Sequence, residues 1–186
     1  MRYKMIYILF LIFLLITIPY VITVFLSQQD KNIQFENYDS GYQVISGNDK
    51  DDLETYLLKI LPGQISMDQE NEAVKAQAVI LRTDIIRRME NKKQIARQKL
   101  PYTTYENSEY RKKLGNRSYQ SMDQKRKKSV SETRGKVITY KNKLIEPYFH
   151  ALSVGMTLDS REWFGKDLPY IREKESLSDI EAKDYM

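Results

Sequence analysis

Cysteine is absent from the 186 residues, and histidine occurs once, at His150. Without a thiol, a disulfide framework, a Cys-ligated zinc site and a cysteine nucleophile are all excluded. A single imidazole leaves no histidine cluster for a metal and argues against a serine triad. The lack of cysteine also suits an exported chain that avoids stray oxidation. Charge is absent from one stretch altogether. Between Met5 and Leu26 only Thr17, Pro19 and Thr23 interrupt a run of apolar side chains. Small residues of a signal-cleavage site are missing around Phe25, Leu26 and Ser27. No internal repeat is present.

What is there begins with that apolar run. As a helix it rises ~33 Å, about the thickness of a bilayer's hydrocarbon core. It exceeds the 7–15 residues of a typical signal-peptide core, so the expectation is an uncleaved anchor over residues 5–26. Arg2 and Lys4 precede it. The positive-inside rule then puts the N-terminus in the cytoplasm and the rest of the chain outside, on a cell membrane crossed once. An extracytoplasmic domain meets wall polymer, lipid head groups or other exported proteins. Nucleic acid is a poor partner for such a topology.

The expected organisation is α+β. Residues 1–27 form a cytoplasmic stub and anchor, 28–41 a linker, 42–175 one outer domain and 176–186 a polar tail. Tyr42 to Ile45 reads as a short strand. Asp51 and Asp52 precede an amphipathic run in which Leu53, Tyr56, Leu57 and Ile60 share one helical face. Pro62-Gly63 stops that helix. A second helix is expected over Asn71 to Lys93, with Ala73, Val74, Gln77, Ala78, Leu81 and Ile85 as its core stripe. Thr133 to Tyr140 and Leu144 to Ala151 read as two β runs joined by a turn at Lys141-Asn142-Lys143, a hairpin.

Between them, residues 94–129 are polar and weakly periodic. Residues 111–136 carry ten Lys and Arg against Asp123 and Glu132. Such a run is either a solvated loop with a helix face or a patch for an anionic polymer or membrane surface.

Two blocks then raise a specific resemblance. The first runs from Leu53-Glu54-Thr55-Tyr56-Leu57 through Leu61-Pro62-Gly63-Gln64-Ile65 to Glu72-Ala73-Val74-Lys75-Ala76-Gln77-Ala78-Val79-Ile80-Leu81-Arg82-Thr83. The second runs from Thr133-Arg134-Gly135-Lys136-Val137-Ile138-Thr139-Tyr140 to His150-Ala151-Leu152-Ser153-Val154-Gly155-Met156-Thr157, then Trp163-Phe164-Gly165 and Leu168-Pro169-Tyr170. Together they resemble the stage II sporulation protein D (SpoIID/LytB) family, whose members carry an EALKAQAVAART-like helix, a T-x-G-x-V-x-x-Y strand and an H-S-x-S-G-G-x-T-like loop. The resemblance implies a membrane-anchored lytic transglycosylase. Such an enzyme cuts denuded peptidoglycan glycan strands beside an amidase and other membrane proteins of engulfment.

That reaction needs one carboxylic acid. It protonates the leaving glycosidic oxygen and then, as carboxylate, helps the sugar's C6 hydroxyl close onto the anomeric carbon. In the family the acid is a Glu in the turn before the Lys/Arg helix. Here that position is Gln64, whose amide neither gives nor takes a proton at neutral pH, and losing a general acid/base typically lowers the rate ~10²–10⁴-fold. Asp68, Glu70 and Glu54 are the other nearby acids, and nothing in their spacing favours them.

By the same resemblance Lys75 and Arg82, two helical turns apart, are glycan-binding, as are His150 and Ser153. Ala151 and Val154 depart from the family loop. Tyr148, Trp163 and Tyr170 are either core residues or rings for sugar faces. Some relatives bind zinc through Cys and His; with no cysteine in this chain, no metal and no cofactor are expected. The alternatives are a catalytically silent glycan-binding protein, an active transglycosylase using another acid, and a non-enzymatic membrane-surface or amidase-partner module using residues 111–136.

Overall fold

The computed structural model describes residues 2–29 and 38–181. Most of the expected linker and the end of the expected tail lie outside these residues.

Helix α1 spans Arg2–Gln29. Within it Tyr3–Thr23 is long and apolar enough to cross a membrane, a test that a signal sequence also passes. Its Thr17 and Thr23 hydroxyls donate to the carbonyls of Phe13 (2.9 Å) and Pro19 (2.8 Å). Both are therefore satisfied inside the helix, as an apolar surrounding requires.

The body begins with β1 (Gln43–Ser46) and β2 (Asp49–Asp52), an antiparallel hairpin turning at Gly47, whose φ of 61° suits glycine. Asp52 then caps α2 (Leu53–Ile60), its carboxylate accepting from the Glu54 N–H at 2.8 Å. Leu53, Tyr56, Leu57 and Ile60 are all buried, the face read from the sequence. A 3-10 turn, Leu61–Gly63, follows.

Helix α3 spans Asn71–Arg88. It ends before the expected Lys93, where Glu90 and Asn91 take left-handed φ values of 50° and 67°. The chain then enters β3 (Gln94–Ala96), which pairs parallel with β1 to give the order β2-β1-β3. α2 and α3 together form the crossover that a parallel pair requires. Val74, Ala78, Leu81 and Ile85 meet α2, while Val44 and Ile95 close the core from the sheet. Ala73 is exposed, contrary to the expected stripe.

The basic segment is two helices, α4 (Asn107–Leu114) and α5 (Asn116–Glu132). α5 lies across α3 and α2 and buries Val130 together with Arg126. The expected β run from Thr133 is shorter than read, because Thr133 ends α5, its hydroxyl donating to the Ser129 carbonyl at 2.8 Å. Only β4 (Thr139–Tyr140) and β5 (Lys143–Leu144) pair, around Lys141 and Asn142 with φ of 48° and 60°. Beyond them lie β6 (Met156–Thr157), α6 (Ser160–Phe164) and β7 (Lys174–Glu175), with β6 and β7 antiparallel. Among the described residues, all buried hydrophobic side chains fall between Val44 and Val130, so the chain described after β5 lies outside the main core.

Candidate functional site

Gln64 sits where the 3-10 turn releases the chain. Its N–H donates to the Leu61 carbonyl at 3.0 Å, and its side-chain Nε2 donates to the Gly63 carbonyl at 3.2 Å. The half-buried amide is folded back on its own turn. Gly63 allows a close approach there, since a Cβ would stand 2.7 Å from Tyr105 Cε2. Tyr105 is fixed in turn by its N–H, which donates to the Lys59 carbonyl at 2.8 Å. The turn packs against α3.

Two of the three neighbouring acids, Glu54 and Asp68, are engaged by other side chains. Glu54 is buried and takes both arms of Arg82, Nε to Oε1 and Nη2 to Oε2, each at 2.7 Å. Asp68, downstream, is held below the usual carboxylate range, first by a hydrogen bond from Ser66. Glu70 precedes α3 without capping it through its side chain.

Lys75 and Arg82 do not present one surface. Arg82 is 1% exposed and, besides Glu54, donates from Nη1 to the Lys136 carbonyl at 3.1 Å. Next to it, Thr83 Oγ1 accepts the Ile138 N–H at 3.0 Å. The Arg-Thr pair of the helix motif therefore ties residues 136–138 down onto α3. Lys75 is partly exposed and bridges two helices, reaching Glu72 at 2.7 Å and Glu132 of α5 at 2.6 Å. Those hydrogen bonds, Glu132 first, raise the Lys75 pKa, and the bond from Lys75 lowers that of Glu132.

One arginine of the basic segment, Arg126, is buried in the packing, while Arg111, Lys112, Lys128 and Lys136 are exposed. Arg126 donates from Nη1 to the Leu58 carbonyl at 2.9 Å and from Nη2 to Asn107 Oδ1 at 3.0 Å. Nη2 also donates to Asp123, and the Arg126 guanidinium lies over the Tyr110 ring. Lys125 donates to the Gln69 carbonyl.

His150 is exposed, and Ser153 is half-buried three residues on. Ser153 is held by Asp179, a residue that no sequence signal singles out, since 26 positions and several short elements separate the two. Tyr148, Phe164 and Trp163 form a ring cluster, with centroids 4.1 Å and 6.4 Å apart and Trp163 68% exposed. Tyr170 stacks on Tyr140 at 5.7 Å, and its hydroxyl accepts the Glu146 N–H at 3.1 Å. Burial, and secondarily a hydrogen bond to Glu146, pushes the Tyr148 phenol up to about 12. Among the described residues no group of three or more His, Asp or Glu is placed to hold a metal ion.

Comparison with known proteins covers the core and most of this machinery. The chain is 28% identical over 141 residues to Stage II sporulation protein D of Bacillus amyloliquefaciens, covering 72% of this chain and 41% of that protein. It is likewise 28% identical over 140 residues to Stage II sporulation protein D of Bacillus subtilis (strain 168), with the same coverage. An uncharacterized protein of Brachyspira hyodysenteriae is 32% identical over 119 residues, 64% of this chain and 30% of that one. The chain thus spans less than half the length of these relatives. Residues 41–140 match the Stage II sporulation protein (SpoIID) family, a span that includes Gln64, Lys75 and Arg82 and stops short of His150 and Ser153. With more than half of its length matched, this chain belongs to the SpoIID family.

Proposed function

We propose that this chain is a membrane-tethered, extracytoplasmic member of its family that binds peptidoglycan glycan strands, with strand cleavage silenced at Gln64. The family sets the sporulation and cell-wall context. α1 supplies the tether in this reading, with Arg2 and Lys4 on the cytoplasmic side. The observation that carries the silencing is the state of the acids around the turn. Gln64 spends its amide N–H on the Gly63 carbonyl and has no acidic proton. Glu54 is closed off by the two-armed Arg82 contact. Asp68, with its pKa lowered, is ionised at neutral pH and has no proton to give a leaving oxygen. Lys75, His150 and Ser153 are the glycan-facing groups of this reading, while Arg82 positions α3 against residues 136–138. A cell-wall amidase and other membrane proteins of engulfment are the partners this context suggests.

The test is mass spectrometry of denuded glycan strands incubated with the full chain in detergent micelles, wild type beside Gln64→Glu. The expected result is strand binding by both and 1,6-anhydro products from the Glu variant alone. Anhydro products from the wild type would show that another acid serves and that the silencing is wrong. Failure of both forms to bind strands would remove the glycan reading itself.

A further inference from the structure

We propose that the loop around Ser153 is a carboxylate-binding cradle that Asp179 fills in the resting protein. The Ser153 N–H and its hydroxyl converge on one oxygen, Asp179 Oδ2, at 2.9 Å and 2.5 Å. Two uncharged donors aimed at a single point form a small anion site. Here the anion is brought by the chain itself.

The delivery is built into the backbone. Asp179 ends a 3-10 turn, Leu177–Asp179, whose lead residue Ser176 donates its N–H to the Gly155 carbonyl at 2.9 Å. Gly155 has φ 89°, and a Cβ there would stand 2.5 Å from Ile180 Cδ1. Glycine at 155 suits that left-handed backbone and leaves room for the end of the Ile180 side chain. The carboxyl of Asp179 is held below its ordinary range by the Ser153 hydroxyl first and its N–H second, with Ser176 and the nearby His150 adding smaller shares. It therefore arrives as an anion.

The contact is also open to exchange. Ser153 and Asp179 are half-buried, and their chain neighbours Leu152, Val154 and Leu177 are exposed. A polar point inside an apolar rim has the composition of a ligand site. An incoming carboxylate competes with a tethered one at an effective concentration of order millimolar, so occupancy by Asp179 sets the threshold for binding. The ligand class is a carboxylate carried on a sugar. Resting on the glycan reading above, that is the lactyl group of N-acetylmuramic acid, which distinguishes this sugar from its neutral partner in the strand.

The experiment uses the full chain in detergent micelles and two disaccharides that differ in the lactyl group, N-acetylglucosaminyl-N-acetylmuramic acid and chitobiose. Affinities are measured by NMR titration for wild type, Asp179→Ala, Asp179→Asn and the double variant Ser153→Ala/Asp179→Ala. Asp179→Ala is expected to bind the carboxylated disaccharide about tenfold more tightly, the equivalent of one charge-assisted hydrogen bond no longer contested. Chitobiose binding stays unchanged, Asp179→Asn gains less, and the double variant loses the gain. The core lies before residue 131, so thermal melts should move little and confirm that each variant is folded. Equal affinity in wild type and both Asp179 variants, or an equal gain for chitobiose, overturns the cradle. If glycan strands still bind in that case, the proposed function stands without it. If neither strands nor disaccharides bind any form, both fall.

Discussion

Replacing Arg82 by methionine separates a structural arginine from a ligand-binding one. In the folded chain Arg82 is 1% exposed, grips Glu54 with two contacts of 2.7 Å and donates to the Lys136 carbonyl. Methionine fills much of the space but leaves Glu54 buried without a counter-charge, a defect worth about 3–5 kcal/mol. The Lys136 carbonyl loses its donor as well, adding about 1 kcal/mol. For a body of this size each kcal/mol moves Tm by roughly 2–4 °C, so Arg82→Met is expected to melt about 15 °C lower. The double variant Glu54→Leu/Arg82→Met removes both charges and is expected to recover most of that loss, because an apolar pair of similar volume often replaces a buried ion pair without penalty. The assay is near-ultraviolet circular dichroism of the full chain in micelles during heating, with strand binding measured below every midpoint. An unchanged Tm together with lost binding in Arg82→Met would refute the reasoning, since it would place the guanidinium on the ligand.

Arg126→Met removes donors to Leu58 and Asn107 but leaves Asp123 paired with Lys127 at 2.8 Å. A smaller loss of about 2 kcal/mol is expected by chemical denaturation. Gly63→Ala brings a Cβ to 2.7 Å from the Tyr105 ring and should cost about 1–3 kcal/mol. Tyr105→Leu in the same chain should return most of it, and no return would mean the strain lies in the backbone. The lowered Asp179 pKa stabilises the loop contact above the ordinary carboxylate value, and that contribution is lost as pH falls through the folded value. The Ser153 amide shift in an NMR pH titration is therefore expected to have its midpoint below 3.8, and a midpoint at or above it contradicts the contact.

How much of this was legible follows from what each residue announces. α2 was readable because Asp52 caps it and its apolar positions repeat with the helical period. α3 was readable through Val74, Ala78, Leu81 and Ile85, but its buried arc also takes in Arg82, Thr83 and Asp84, which a hydrophobic pattern scores as surface. α4 and α5 were hidden for the same reason. The inward face of α5 sets Tyr119, Met122 and Val130 among the buried Asp123, Arg126 and Ser129, so half of it counts as polar. Thr133 misled toward a strand because a β-branched residue can serve equally as the hydroxyl that closes a helix. At the candidate site, Pro62-Gly63 announced the turn, and the family resemblance singled out Gln64 within it. The partners of Arg82 and Ser153 were not legible, because Lys136 and Asp179 are 54 and 26 residues away.

The way α5 and residues 136–138 close over the earlier helices has a consequence for the order in which the chain acquires protection during synthesis. Arg126 reaches Leu58 across 68 residues, and Ile138 reaches Thr83 across 55. A chain threaded out N-terminus first can pair Arg82 with Glu54 early, yet the backs of α2 and α3 stay bare until residue 138 has emerged. Contacts over such separations form slowly, since loop entropy must be spent before they give anything in return. Until then the half-made body is open to proteases and chaperones, and resistance to both arrives late and in one step.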